Sequence, residues 1–267
     1  MKDKLIILGS GGGRHHIRTQ HRATGGFLYR FADTQAHIDP GPGAIVRLNQ
    51  FKANPLDTEL FIVTHVHLDH FSDLCAVIES SREHLHDKDH NYYQIGTLLS
   101  TPDALPLISN YHKAMLEKIV PFQSGDTYTF KGIKIVGTQV QHSTVQGFGL
   151  KFYLDDYVFA YTSDTTVFPG FSKQYNDVDI MVLNLLRPDS VTCSRHLCTD
   201  QVIPYLNQIT PSLKALVITH FGSFMDGPFS EKNHVPSQLA KLKNQTNIKH
   251  IVAAQDGLNI SIQELLS

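Results

Sequence analysis

The apolar positions of this chain fall into short runs, most of them alternating or β-branched, separated by glycine, proline and polar turns. Residues 4–8 predict a first strand that runs into a glycine-rich turn at 9–13. Residues 27–31 and 36–38 predict a hairpin-like pair, ending at Asp39 and the turn formers Pro40, Gly41, Pro42 and Gly43. The run 60–63 has the length and β-branched content of a buried strand, and Leu74, Val77 and Ile78 recur at helical spacing downstream. Residues 102–118 read as a helix broken at Pro106, Ser124 to Asp126 mark a turn, and 127–130 with 133–140 read as a strand pair. Three further apolar strands follow at 157–161, 179–183 and 215–219, with a helix beginning near Asp200. Residues 249–262 read as strand, turn at Gln255, Asp256 and Gly257, and strand again. Strands interleaved with helices predict an α/β fold, taken as one domain over 1–267.

Composition narrows the classes. With 267 residues and 41% hydrophobic content, the chain can bury a sizeable core. A net charge of −2 removes any global reason to coat a long polyanion. Cys75, Cys193 and Cys198 form neither a zinc-ribbon pattern nor a disulfide framework, which fits a reducing cytoplasm. No run approaches membrane-spanning length, and residues 1–8 lack a signal-peptide core, so a soluble cytoplasmic protein with no membrane partner is expected. One segment departs from this neutrality: the loop read at 9–26 carries Arg14, His15, His16, Arg18, His21 and Arg22. Arg14, Arg18 and Arg22 are candidate contacts for a phosphate-bearing substrate, the alternative being a merely solvated loop. The polar stretch 81–91, with His84, His86 and His90 and then Tyr92 and Tyr93, reads as a lid or a solvated insertion, with no metal role.

Chemistry concentrates at residues 65–70, where His65, His67, Asp69 and His70 stand on a strand-to-helix turn. Alternation sends His65 and His67 the same way, while Asp69 and His70 lie at the start of the helix, so one loop faces two metal positions. Imidazole and carboxylate suit zinc, iron or manganese, and the lack of a cysteine argues against a closed structural zinc site. The run His-Val-His-Leu-Asp-His matches the HxHxDH signature, and the chain resembles the metallo-β-lactamase-fold hydrolases. The resemblance implies a four-layer αββα sandwich and three more ligands. His142 after the strand 133–140, Asp164 after 157–161 and His220 after 215–219 stand where they are needed. The implied set is His65, His67 and His142 on one divalent ion, Asp69, His70 and His220 on a second, and Asp164 between them. Zinc is the first choice, with manganese and iron as alternatives. Asp39 would support the metal-binding loop. Two cations roughly 3.5–4 Å apart lower the pKa of a bridging water, so hydrolysis by a metal-bridging hydroxide is the expected chemistry.

Residues 187–200, which include Arg195, His196, Leu197, Cys198, Thr199 and Asp200, resemble the His-x-x-Thr or His-x-x-Asp region of the phosphodiesterase branch. That branch includes ribonuclease Z and the cyclic-ribose phosphodiesterase of the carbon-phosphorus lyase pathway. The resemblance makes His196 the general acid for the leaving alkoxide, with Asp69 as the second catalytic residue. Two departures weigh against tRNA processing. Ribonuclease Z enzymes usually insert a tRNA-gripping arm between the third histidine and the bridging aspartate, and the gap from 142 to 164 has no room for one. They commonly pair the catalytic histidine with a glutamate where this chain has Asn184. The cysteine-bearing zinc loop of the carbon-phosphorus lyase enzyme is also absent. A small or cyclic phosphodiester or nucleotide is therefore the expected substrate, with RNA as the alternative. An ester or thioester hydrolase like glyoxalase II or a lactonase is opposed by His196 and the basic segment, and a non-catalytic nucleic-acid-binding module by the complete ligand set. Dimers are common in this branch, and a homodimer is compatible with the resemblance.

Overall fold

The alternating runs become two seven-stranded sheets in the computed structural model, which describes residues 3–83, 88, 93–143, 145–209 and 213–267. The stretch read as a lid thus lies largely outside the described residues. The first sheet is built from β1 (Lys4–Ile7), β2 (Phe27–Phe31), β3 (Thr34–Ile38), β4 (Thr58–Val63), β5 (Ile95–Ser100) and β6 (Leu116–Pro121), with β14 (Asn259–Ser261) beside β1. The second holds β7 (Thr127–Phe130), β8 (Ile133–Thr138), β9 (Gly149–Tyr153), β10 (Val158–Tyr161), β11 (Ile180–Asn184), β12 (Ala215–Thr219) and β13 (His250–Ala253). In each sheet an antiparallel half passes into a parallel half, the change falling at β3–β4 in the first and at β10–β11 in the second. Parallel neighbours need crossover connections, and those carry the helices.

Side chains alternate between two buried faces. Leu5 and Ile7 point into the space between the sheets, whereas Ile6 and Leu8 face the outer helical layer. Val182 and Val217 likewise point inward while Met181, Leu183, Leu216 and Ile218 face the opposite helices. Strands buried on both faces read as continuous apolar runs, which is why the strands at 60–63, 179–183 and 215–219 are legible in the sequence. Aromatic packing locks the sheets together, with Tyr29 stacked on Phe159 at 4.1 Å between ring centroids. Outside the first sheet lie α1 (Gly13–Thr19), α2 (Ala44–Gln50), α3 (Leu68–Phe71), α4 (Leu74–Ser80) and α5 (Asn110–Lys113). Helices α6 (Thr199–Leu206) and α7 (Val235–Gln245) cover the second sheet, and α8 (Ile262–Leu266) ends the chain. The result is the four-layer αββα sandwich that the resemblance implied. Among the described residues no helix is long and apolar enough to cross a membrane.

Two segments differ from expectation, and a third gains its sheet partners. The loop read at 9–26 contains α1, whose only buried residue is His16, so it carries no apolar periodicity to betray a helix. The helix expected over 102–118 is instead a 3-10 turn at Leu105–Leu107, the short α5 and then β6. Pro106 withholds an N–H from any longer helix, and the Ser109 hydroxyl starts α5 by accepting from the His112 N–H at 3.2 Å. The strands read within 249–262 exist but belong to different sheets, so the chain crosses the sandwich at Asp256. There the Asp256 carboxylate accepts from the Ser10 N–H and hydroxyl and from the Ala23 N–H, each at 2.8 Å, and ties the C-terminal segment to the glycine-rich turn.

Candidate metal centre

The strand ends meet at one edge of the sandwich, the carboxyl ends of the parallel strands, where α/β folds place their sites. β3 ends at Asp39, which takes a left-handed φ of 54°. Its carboxylate accepts from the Thr64 N–H and hydroxyl, both at 2.8 Å, just past the end of β4. The N–H goes to Oδ1 and the hydroxyl to Oδ2, and Oδ2 also accepts from the Tyr161 hydroxyl at 2.9 Å and pairs with His70 Nδ1 at 2.8 Å. Asp39 thus fixes both ends of the turn that presents His65, His67, Asp69 and His70. Asp69 in turn accepts from the Gly13 N–H at 2.6 Å.

All seven expected ligands converge there, in two groups. In the first, His67 Nδ1 lies 3.1 Å from His65 Nε2 and 3.0 Å from His142 Nε2. Asp164 Oδ2 stands 4.0 Å from His65 and 3.8 Å from His142. In the second, His70 Nε2 and His220 Nε2 are 3.0 Å apart, with Asp69 Oδ2 at 3.8 and 3.4 Å from them. Asp164 reaches this group too, 3.6 Å from His70 and 3.4 Å from His220. Its carboxylate is thus within 4.0 Å of ligands of both sets.

The donor set fits divalent cations. His142 Nδ1 lies 2.9 Å from the Arg195 carbonyl, which can only accept, so the proton sits on Nδ1 and the Nε2 lone pair points inward. The Asp39 carboxylate fixes His70 in the same tautomer. Imidazoles held this way by an outer acceptor are the usual state of metal-ligating histidines. Charge points the same way: Asp39, Asp69 and Asp164 are all buried, and no lysine or arginine pairs with them among the described residues. Burial opposes a charge on His70, yet the Asp39, Asp164 and Asp69 carboxylates overcome it and hold the imidazole well above its usual range. Buried carboxylates that draw a proton onto a histidine would be neutralised equally well by a cation.

His196 stands over this pair of groups. Its Nδ1 is 3.6 Å from Asp164 Oδ2, and its ring lies 4.6 Å from that of His142 and stacks at 6.4 Å on that of His220. Burial pushes its pKa down to about 4 although Asp164 pulls the other way, so the imidazole is neutral near pH 7.

Of the three candidate arginines, Arg22 is committed within the protein. Its Nε donates to Asp226 at 2.7 Å, an Nη donates to the Ser10 hydroxyl at 2.9 Å, and its guanidinium covers Phe221. Arg14 and Arg18 are exposed on α1, which packs against α3.

Several residues with a part in the site escaped the sequence reading. Asn184, read there as a missing glutamate, donates to Asp164 at 2.8 Å and to the Tyr161 hydroxyl at 3.1 Å, linking Asp164 to Asp39. The Thr64 hydroxyl also meets that of Ser163 at 2.7 Å. Gly12 is required by space, since a Cβ there would lie 2.1 Å from the His220 ring. A cluster of small residues at a strand exit was the only available signal for Gly12, and none marked Tyr161.

A family model described as a beta-lactamase superfamily domain matches residues 34–221. An uncharacterized protein of Methanocaldococcus jannaschii is 28% identical over 263 residues, covering 98% of this chain and 96% of its own. Among solved structures, a diphosphatase from the PhnP family superposes with a TM-score of 0.70 at 18% identity, covering 98% of both chains. The short form of human tRNase Z superposes with a TM-score of 0.71 at 15% identity, covering 97% of this chain and 99% of its own. At these identities the structural likenesses show the fold alone.

Proposed function

This chain belongs to the beta-lactamase superfamily and is a metal-dependent hydrolase of the metallo-β-lactamase fold, and from that premise we propose that it is a dinuclear phosphodiesterase acting on a small or cyclic phosphodiester or a nucleotide. The observation that carries the proposal is the position of His196, 3.6 Å from Asp164 and packed against His142 and His220, where it faces both candidate metal positions at once.

His65, His67, His142 and Asp164 would hold one ion and Asp69, His70 and His220 the other, Asp164 being shared. Zinc is the first choice for this set, with manganese or iron as alternatives that use similar ligands. Two such ions would lower the pKa of a water and neutralise charge developing on a phosphoryl oxygen. Asn184 orients Asp164, and the Gly13 N–H orients Asp69. His196 delivers a proton to the departing alkoxide. An anionic phosphate beside His196 would favour the protonated imidazole, as Asp164 already does against its burial. Arg14 and Arg18, near α3, remain available to further phosphate oxygens.

Size also favours a small substrate. Between 142 and 164 the described chain runs into β9 and β10, an antiparallel pair of the sheet core, which leaves no arm to grip a tRNA. RNA is the second reading, favoured by the likeness to the human tRNase Z short form.

The test is a substrate panel on zinc-loaded protein: bis-p-nitrophenyl phosphate, cyclic nucleotides, pre-tRNA, a lactone and a glutathione thioester. The expected result is a kcat/KM for a small diester at least about a hundredfold above that for either acyl substrate, about 2.7 kcal/mol in barrier height. Preference for the lactone or the thioester would overturn the proposal, and preference for pre-tRNA would shift it to the second reading.

A further inference from the structure

Arg187 follows the strand end that carries Asn184. Its N–H donates to the Leu197 carbonyl at 3.2 Å and its backbone bridges to Cys198, which sets it beside His196. At roughly 3.3 Å per extended residue, His196 is about 7 Å along the chain from that bridge, within reach of an arginine side chain. The guanidinium lies over the Phe224 ring, 4.2 Å from its centroid. Phe224 sits four residues beyond His220, on a turn that Gly222 docks to Leu186 through its N–H at 3.1 Å. Arg187 is therefore framed by the two segments that carry His196 and His220. Its Nε is buried with no hydrogen-bond partner, and the other guanidinium nitrogens have no acceptor among the described residues. Asp226, the nearest carboxylate in sequence to Phe224, is already taken by Arg22.

With one face covered by a ring and Nε buried, the guanidinium still presents its two terminal Nη groups, and that pair matches the oxygens of a phosphate. Beside it, Phe229 packs on Phe224 with ring centroids 5.3 Å apart and is itself 65% exposed. An exposed phenyl next to an arginine in search of an acceptor matches a ligand with an anionic group and a planar ring.

We propose that Arg187, Phe224 and Phe229 form a binding element beside the metal centre that takes the nucleoside-phosphate end of the substrate, Arg187 gripping a phosphate other than the scissile one and Phe229 stacking the base. The inference rests on the phosphodiesterase reading and names its substrate as a nucleotide bearing a second phosphate group.

Calorimetric titration of the zinc-loaded protein with ADP and with inorganic pyrophosphate tests it. Arg187→Met keeps the side-chain stem on Phe224 and removes the charge, so it is expected to weaken both ligands by about tenfold or more. Phe229→Ala is expected to weaken ADP by about fivefold or more while changing pyrophosphate by less than about twofold. Thermal melts confirm that each variant is folded. ADP affinity within about twofold of wild type in folded Arg187→Met, equal losses for both ligands in Phe229→Ala, or no ADP binding by the wild type would each overturn the proposal. Turnover of bis-p-nitrophenyl phosphate by the same wild-type sample separates the two levels: its absence refutes the phosphodiesterase reading and leaves the binding result to be judged by itself.

Discussion

Asp164→Ala is expected to remove bound metal and activity together, with kcat/KM falling by at least about a thousandfold, some 4 kcal/mol. Its carboxylate spans both groups of ligands: its two oxygens lie between 3.4 and 4.0 Å from His65, His70, His142 and His220. Burial alone would raise its pKa, but the surrounding His220, His70 and His196 outweigh that and keep it ionised well below the usual carboxylate range. Taking this charge away leaves His65, His67 and His142 on one side and Asp69, His70 and His220 on the other, without the shared anion that would offset the repulsion between two neighbouring cations. Asp164→Asn keeps the shape and the contact with Asn184 yet loses the charge, so it should fail in the same way while folding normally. Metal content by plasma mass spectrometry and circular dichroism on each variant check this. Two ions at full occupancy in folded Asp164→Ala would remove Asp164 from the ligand set.

His196→Ala is expected to separate chemistry from binding. His196 touches the ligand cluster from above without belonging to either metal group, so both ions should remain. Turnover of a diester with an alkoxide leaving group should fall by about 10²–10⁴-fold, the usual contribution of a positioned general acid. A p-nitrophenolate leaving group is stable without a proton, and its loss should slow far less. The ratio of the two rates is the readout, because a purely structural defect would depress both alike. Equal losses on both substrates, or none on the alkoxide substrate, would remove His196 from proton transfer.

The division between what could and could not be read in advance follows from the range of each signal. The cluster at 65–70 is compact, so the alternation of His65 and His67 and the helix start at Asp69 could be placed from neighbours alone. His142, Asp164 and His220 each follow an apolar strand, and the resemblance supplied the reason to look there. The strands buried on both faces announced themselves as apolar runs. Helix α1 did not, because it buries His16 in place of an apolar stripe, and His16 in turn accepts from the Arg22 N–H. The sheet partners of β13 and β14 were equally hidden, since a strand's sequence says little about which of two sheets it joins. Tyr161 and Asn184 look like ordinary strand residues. Their roles come from contacts across the fold, Tyr161 to Asp39 and Asn184 to Asp164, which no local pattern encodes. Arg22 shows the converse: it stood out as a free cation in the sequence, and its partner Asp226 lies 204 residues away.

The most direct test is a metal titration. Protein stripped with a chelator is titrated with zinc or with manganese while turnover of bis-p-nitrophenyl phosphate is followed. A two-metal phosphodiesterase predicts negligible turnover when stripped and a rate that climbs and levels off at about two equivalents per chain. Full turnover in the stripped protein, or a plateau at about one equivalent, would contradict it.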